Sequence, residues 1–282
     1  MKRPGRSLSL RRKLTSRCML GLCGLCSAVV LLPLLLLLFY VARQGAAGLN
    51  WAFFTQLPAP PGASGGGMAN AIVGTLELLG IAFVLGVPLG MAGGVYVSEL
   101  ANEHLVLAVR FAADALNGIP TIVTGIFVYS LVVVRMHRFS GLAGGLALAI
   151  VMLPVVLRAS DEVLRLVPHS YREAALALGA TRWRVVRDII LRAAKRGLVG
   201  AALLGVARVA GETAPLLLTA LGSSQWSLRL DQPVASLTMQ IYSYAIAPYD
   251  DWHRQAWAGA LTLIAMIVVT SAAARAWVGR RT

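Results

Sequence analysis

Apolar residues in this chain run in long tracts, most of them about 20 residues, broken by short polar and charged stretches. A helix rising about 1.5 Å per residue needs roughly 20 apolar residues to cross a hydrocarbon core about 30 Å thick. Six tracts serve: Met19 to about Val41, Ala69 to Val97, Ala112 to Val134, Gly141 to Leu157, Gly197 to Leu221 and Ala256 to Trp277. The first holds the unbroken Leu34 to Leu38 block and closes on Phe39 and Tyr40. A signal peptide would share its basic front. Its apolar stretch is too long for an ordinary signal core, however, and no crisp small-residue cleavage site follows, so it reads as a retained helix. The pattern predicts an all-α integral membrane protein with six transmembrane helices.

Two segments break the pattern. Gln56 to Gly67 is rich in Pro and Gly and reads as a linker. Gly222 to Gln255, with Trp226, Pro233, Pro248 and Trp252, is long and mixed enough to hold a short re-entrant or interfacial helix around Ala235 to Ala245.

Composition agrees: 57% of residues are hydrophobic, 13% are charged and mean hydropathy is +0.72, more apolar surface than a soluble core hides. The net charge of +14 would suggest nucleic acid in a soluble protein. Here its distribution gives a simpler account. Seven of the 26 basic residues precede the first span, nine lie from Arg158 to Arg196, three are C-terminal, and Arg110 lies in the second loop. Basic residues near membrane ends stay on the cytoplasmic side, so both termini are expected in the cytoplasm. Arg43, Arg135, Arg138, Arg229 and Arg254 fall outside, and Arg208 alone lies within a span. Cys18, Cys23 and Cys26 belong to the first span or its inner end, and His104, His137, His169 and His253 are scattered, so no metal site is expected.

The basic loop after the fourth span has local chemistry of its own. Pro168 ends one segment, Ser170 and Glu173 fit a capping box with a helix from Tyr171, and Gly179 supplies a left-handed end. Thr181 can cap a second, amphipathic helix from Arg182 to about Arg196 that leads into the next span. A short helix bearing Glu173, Ala174 and Ala175 suits a groove on another protein. Its basic character also suits an amphipathic loop resting on anionic lipid.

Arg208 lies eleven residues beyond Gly197, about 16 Å along a helix and so near the bilayer centre. An arginine there costs about 2.5 to above 10 kcal/mol unless it faces protein or water and finds a partner. Glu212 is one turn away, and Gly197, Ala201 and Gly205 give a small-residue face for close packing. Pro215 interrupts the backbone hydrogen bonding just beyond. Two readings stand for the pair: a salt bridge that fixes the helix, or part of an oxyanion path, since a guanidinium fork matches phosphate oxygens at any relevant pH. Arg158, at the inner end of the preceding span, is either a second anion contact or a snorkelling residue.

The spacing Glu173-Ala174-Ala175, Gly179, Ile189, Leu191 resembles the EAA loop by which permeases of ABC importers grip their ATPases, with Arg192 standing where the usual pattern ends in Leu-Pro. The run from Ala207 through Arg208, Gly211, Glu212, Thr213, Ala214 and Pro215 to Leu217 is similar to the ARxxGETAPLL motif of phosphate ABC transporter permeases of the PstA type. Gly65 to Asn70, Val167 to Thr181 and Gln232-Pro233 match further, and the likeness spans about residues 65 to 275.

The resemblance implies a type I importer (MetI-like) permease core. Residues 1–17 would be a basic cytoplasmic tail, 18–41 the first transmembrane helix, 42–68 an external loop, 69–277 the core with its EAA loop at 159–196, and 278–282 a cytoplasmic tail. It implies a phosphate importer subunit in a bacterial inner membrane, coupled to the ATPase through Glu173, Ala174, Ala175 and Gly179, with Arg208, Glu212 and Arg158 on the substrate path. The partners implied are a PstC-like permease, two copies of a cytoplasmic ABC ATPase, an external phosphate-binding protein and the lipid bilayer. No GxxxxGK[ST] loop occurs, so ATP is used by the partner and no cofactor is expected in this chain. A sulfate or molybdate permease, or a subunit acting mainly in phosphate sensing, are the alternatives. A membrane enzyme is disfavoured, because no Ser/His/Asp set or carboxylate pair falls in one plausible site.

Overall fold

The protein was analysed as a computed structural model that describes residues 6–63, 65–227 and 229–279. Lys2 and Arg3 of the N-terminal basic tail and Arg280 to Thr282 of the C-terminal tail lie outside the described residues. Thirteen helices are described: α1 Arg6–Gly48, α2 Trp51–Thr55, α3 Ala69–Glu99, α4 Glu103–Gly118, α5 Thr121–Val128, α6 Val134–Met136, α7 Gly141–Arg165, α8 His169–Ala177, α9 Arg182–Arg184, α10 Leu191–Ala210, α11 Ala214–Leu217, α12 Leu237–Ala245 and α13 Asp250–Gly279. π-helical turns at Tyr129–Val133 and Val185–Ile190 join α5 to α6 and α9 to α10.

Helix α7 is the axis. Of its most apolar stretch 56% is buried inside the protein, against 33% for α3, 17% for α13 and none for α1. Its core layer sets Leu148, Met152 and Val156 of α7 against Leu78 and Ala82 of α3 and Ala202 and Val209 of α10. Lipid is as apolar as leucine, so this contact rests on close packing and not on the hydrophobic effect. The sequence meets that need with small residues at every fourth position. On α3, Gly86, Gly90 and Gly94 face α7, and a Cβ added at Gly90 would stand 2.8 Å from Cβ of Val156. On α10, Gly197 meets Val163 and Gly205 meets Val156, which is the small-residue face anticipated above. Gly90→Leu therefore forces these helices apart. Overpacking of this kind costs about 1–3 kcal/mol, which a lowered midpoint of thermal unfolding in detergent would report.

Four helices are long and apolar enough to cross a membrane, and a bent pair adds a fifth crossing if it counts as one. The sequence pattern predicts six, and the difference lies at two prolines. The expected span Ala112 to Val134 is broken: Glu103–Gly118 and Thr121–Met136 meet at 97°. Pro120 drives the preceding Ile119 out of the helical region, to ψ 132°. The expected span Gly197 to Leu221 stops at Ala210, and Glu212 lies in a break before the one-turn helix that Pro215 helps to start.

Other boundaries move outward. Helix α1 runs past Val41 to Gly48, where Gly45 and Gly48 abut α13. A short helix, α2, occupies part of the 42–68 segment, and α13 begins at Asp250 and not at Ala256. The short re-entrant or interfacial helix anticipated around Ala235 to Ala245 corresponds to α12, started by Ser236, whose Oγ accepts from the Met239 N–H at 3.3 Å.

Candidate functional site

The loop after α7 forms a helical hairpin. Helix α8 begins at His169, two residues before the expected start, with Pro168 at its N-cap. Ser170 is thereby inside the first turn, too late to cap it, and the capping box with Glu173 does not form. Arg172 organises this end instead. Its Nη1 donates to the Val167 carbonyl at 2.6 Å and its Nη2 to that of Leu164 at 3.2 Å, closing the end of α7. Its Nε and Nη2 also bind the Glu99 carboxylate at the end of α3, at 3.0 and 2.6 Å. The pair is nearly buried, with 16% of the Arg172 side chain and 6% of Glu99 exposed. Such bidentate, charge-assisted contacts fix α8 against the membrane core.

At the far end Gly179 has φ +80°. The Gly179 N–H reaches the Leu176 carbonyl at 2.9 Å and the Ala180 N–H the Ala175 carbonyl at 3.1 Å. This is the paired closure that a left-handed residue permits, and a side chain there would be strained. Thr181 stands at the N-cap of α9 without a side-chain cap bond. The π-helical turn after α9 buries Val185 and Ile190 against Leu164, Val167 and Ala175. Arg187 hydrogen-bonds Asp188 through Nε and Nη2 at 2.9 and 3.1 Å and holds that carboxyl below the usual range. Ala175 faces inward, while Glu173, Ala174 and Gly179 are exposed. Around them Tyr171, Leu176, Leu178 and Trp183 are also exposed, Leu178 by 90%. An apolar rim about a small-residue centre, on a rigidly held helix, has the chemistry of a docking knob.

Arg208 and Glu212 form the ion pair expected from their spacing. Glu212 is the more buried partner, its side chain 11% exposed against 47% for Arg208. The second Glu212 oxygen accepts from Thr121 Oγ1 at 2.9 Å, at the start of α5. The Glu212 carbonyl, freed by the helix break, accepts from Thr238 Oγ1 of α12 at 3.0 Å. The break that Pro215 imposes is therefore held from two sides. Arg208 also lines a crevice with Asn117, Thr121, Thr124 and Ile150, at the bend between α4 and α5. Beyond it an apolar face carrying Phe111, Ile122, Ile126 and Phe127 is exposed.

Arg158 lies elsewhere. Its Nε binds Asp114 of α4 at 2.9 Å and its Nη1 approaches Asp161 at 3.7 Å. It sits eight residues along α7 from Ile150, about 12 Å at helical rise. The structure thus brings Arg208 together with Glu212 and sets Arg158 apart in an ionic cluster. At that cluster's centre Asp161 is 1% exposed and receives two bonds from Arg110, at 2.8 and 2.9 Å, and one from Arg165 at 3.2 Å. The sequence reading missed Arg172, Glu99, Arg110 and Asp161. The only advance signal was that Asp161 and Arg165 are four residues apart, a helical pair spacing.

Residues 86–282 match the model of the family described as binding-protein-dependent transport system inner membrane component. The phosphate transport system permease protein PstA of Yersinia pestis is 42% identical over 243 residues, covering 86% of this chain and 82% of that protein. The PstA of Haemophilus influenzae is 41% identical over 259 residues, covering 92% and 91%. The chain belongs to this permease family, among the PstA proteins. PstA 1 of Mycobacterium tuberculosis extends the likeness to 276 residues at 37% identity, covering 95% of this chain and 89% of that protein. Among solved structures, the permease resembles a chain of the inward-facing MetNI methionine ABC transporter, with TM-score 0.60 at 21% identity over 76% of this chain and 94% of that one. At that identity the likeness concerns the fold. An ABC importer permease is a membrane subunit that works with other permease and ATPase subunits, and this one is a multi-pass membrane protein.

Proposed function

We propose that this permease is a non-catalytic subunit of an ATP-driven inorganic phosphate importer in a bacterial inner membrane, both termini cytoplasmic. It would pair with a PstC-like permease, two copies of a cytoplasmic ATPase and an external phosphate-binding protein. The observation that carries the reading is the coexistence of two devices in one fold: the Arg172-held α8 knob, and the Arg208–Glu212 pair at a helix break that faces an open crevice. The names of the PstA relatives supply the substrate.

On this reading Ala174 permits close approach of the ATPase, Ala175, buried behind it, packs α8 onto the rest of the hairpin instead of meeting the ATPase, Gly179 ends the knob, and Glu173 makes an ionic contact at its rim. The exposed face of α4 and α5 meets the second permease and completes the crevice. ATP closure of the two ATPases moves α8, and because α8 is locked to α3 through Glu99, the motion passes into the spans. Within the path Arg208 offers the ion a weak site, which suits passage, since a tight site would hold it. Arg158, neutralised by Asp114 and Asp161, is assigned to the link between α4 and α7. It braces that link without touching the ion. No cofactor is assigned to this chain, and ATP belongs to the partner.

The reading is tested by ATP hydrolysis in the assembled complex. Phosphate-loaded binding protein should stimulate hydrolysis several-fold, while the same protein offered sulfate or molybdate should not. Stimulation by another oxyanion alone would replace the substrate and leave the permease architecture standing.

A further inference from the structure

A second site of anionic chemistry lies where the ends of α3 and α7 meet the start of α8. A cavity of about 360 Å³ opens there, lined by Ser98, Arg165, His169 and Arg172. It is separate from the Arg208 crevice and shares none of its residues. Two neighbouring carboxylates are already engaged. Glu99 is held by Arg172, and Asp161 by Arg110 with Arg158 beside it.

Arg165 touches Asp161 only through Nε, at 3.2 Å, and its side chain is 53% exposed. Its two terminal nitrogens have no protein partner among the described residues. His169 likewise makes no hydrogen bond or ion pair among them, and Pro168 gives the first turn of α8 no side-chain cap. The free N–H groups of that turn add positive partial charge beside the cavity. A guanidinium edge and an imidazole from two separate helices therefore converge with no anion at their free edges, beside the Ser98 hydroxyl of α3, whose one bond is a long one to Glu99 at 3.3 Å.

We propose that this cavity binds a phosphate group on the cytoplasmic face, held by Arg165 and His169 with Ser98 as a third donor. Arg172, which also lines the cavity, is shared between the anion and Glu99. The ligand is inorganic phosphate, the ion released on that side, or the phosphomonoester headgroup of a lipid such as phosphatidic acid, which presents the same oxygens. The site adjoins the Arg172–Glu99 contact that locks α8, so a bound anion competes for Arg172 and eases the knob. Occupancy then lowers coupling, as feedback from the transported ion or from the inner leaflet. The proposal rests on the cytoplasmic placement of α8. Failure of that placement would show separately, as a permease that never co-purifies with its ATPase.

The test uses the permease–ATPase complex without binding protein, in phosphatidylcholine nanodiscs, with radiolabelled inorganic phosphate as probe. We expect saturable binding that weakens at least tenfold in Arg165→Gln/His169→Gln and persists in Arg208→Gln. A headgroup source gives a different pattern: no phosphate binding in these discs, and phosphatidic acid enriched around the wild type in mixed-lipid discs but not around the double variant. Binding and enrichment that are absent, or equal in wild type and double variant, overturn the proposal. So does phosphate binding lost in Arg208→Gln alone. Should the double variant fail to assemble, His169→Gln carries the same test, because His169 has no other partner to lose.

Discussion

Arg208→Gln stops ATP-driven phosphate uptake while the complex still assembles. The substitution removes the one cation at the crevice and leaves Glu212, almost buried, with Thr121 as its remaining side-chain donor. Hydrogen bonds to charged groups contribute about 1.5–3 kcal/mol, so loss of the ion contact alone predicts a fall in transport of about ten- to a hundredfold. The unpaired carboxylate adds repulsion of the passing anion and deepens the loss. Arg208→Gln with Glu212→Gln separates the two readings of the pair. Uptake that stays low assigns Arg208 to the ion. Normal uptake in the double variant makes the pair a structural bridge.

Arg172→Ala uncouples transport from the ATPase, through geometry and not through the docking surface. The change leaves Glu99 buried without its cation and frees the Val167 and Leu164 carbonyls. Breaking a buried pair from one side costs about 3–5 kcal/mol, enough to loosen α8 from α3. Glu173→Lys acts differently, since Glu173 is exposed and makes no hydrogen bond or ion pair among the described residues. It should leave the permease in the membrane with unchanged thermal stability, yet abolish ATPase co-purification and uptake. Arg172→Ala should retain some ATPase but hydrolyse ATP without phosphate dependence. Co-purification and phosphate stimulation, measured side by side, distinguish them. Coupled transport retained in Glu173→Lys would remove the docking role.

What the sequence disclosed, and what it hid, follows the range of the interactions. Apolar length gave the long helices α1, α3, α7 and α13, because a span is set by bilayer thickness and needs no partner. Gly179 was legible because one residue at one φ decides the turn. The Arg208–Glu212 pair was legible because its members are four residues apart, Arg208 in the last turn of α10 and Glu212 just past its end. The bend at Pro120 is in plain view as a residue, but hydropathy averages over it and reads the tract as one span. Ser170 looked like a cap because its spacing to Glu173 is right, whereas Pro168 starts the helix before Ser170 can act. Arg172 with Glu99, 73 residues apart, and Arg110 with Asp161, 51 apart, join different helices, and no local pattern announces them. The same separation kept Arg158 ambiguous until its partners, Asp114 and Asp161, were placed.

The central claim is that this permease carries phosphate past Arg208. Its most direct test is ATP-dependent uptake of radiolabelled phosphate into vesicles containing the permease, its PstC-like partner, the ATPase and the binding protein, with sulfate and molybdate as competitors. The account predicts phosphate uptake that neither competitor reduces and that falls at least tenfold with Arg208→Gln. Uptake of another oxyanion in place of phosphate, or phosphate uptake unchanged by that substitution, would contradict it.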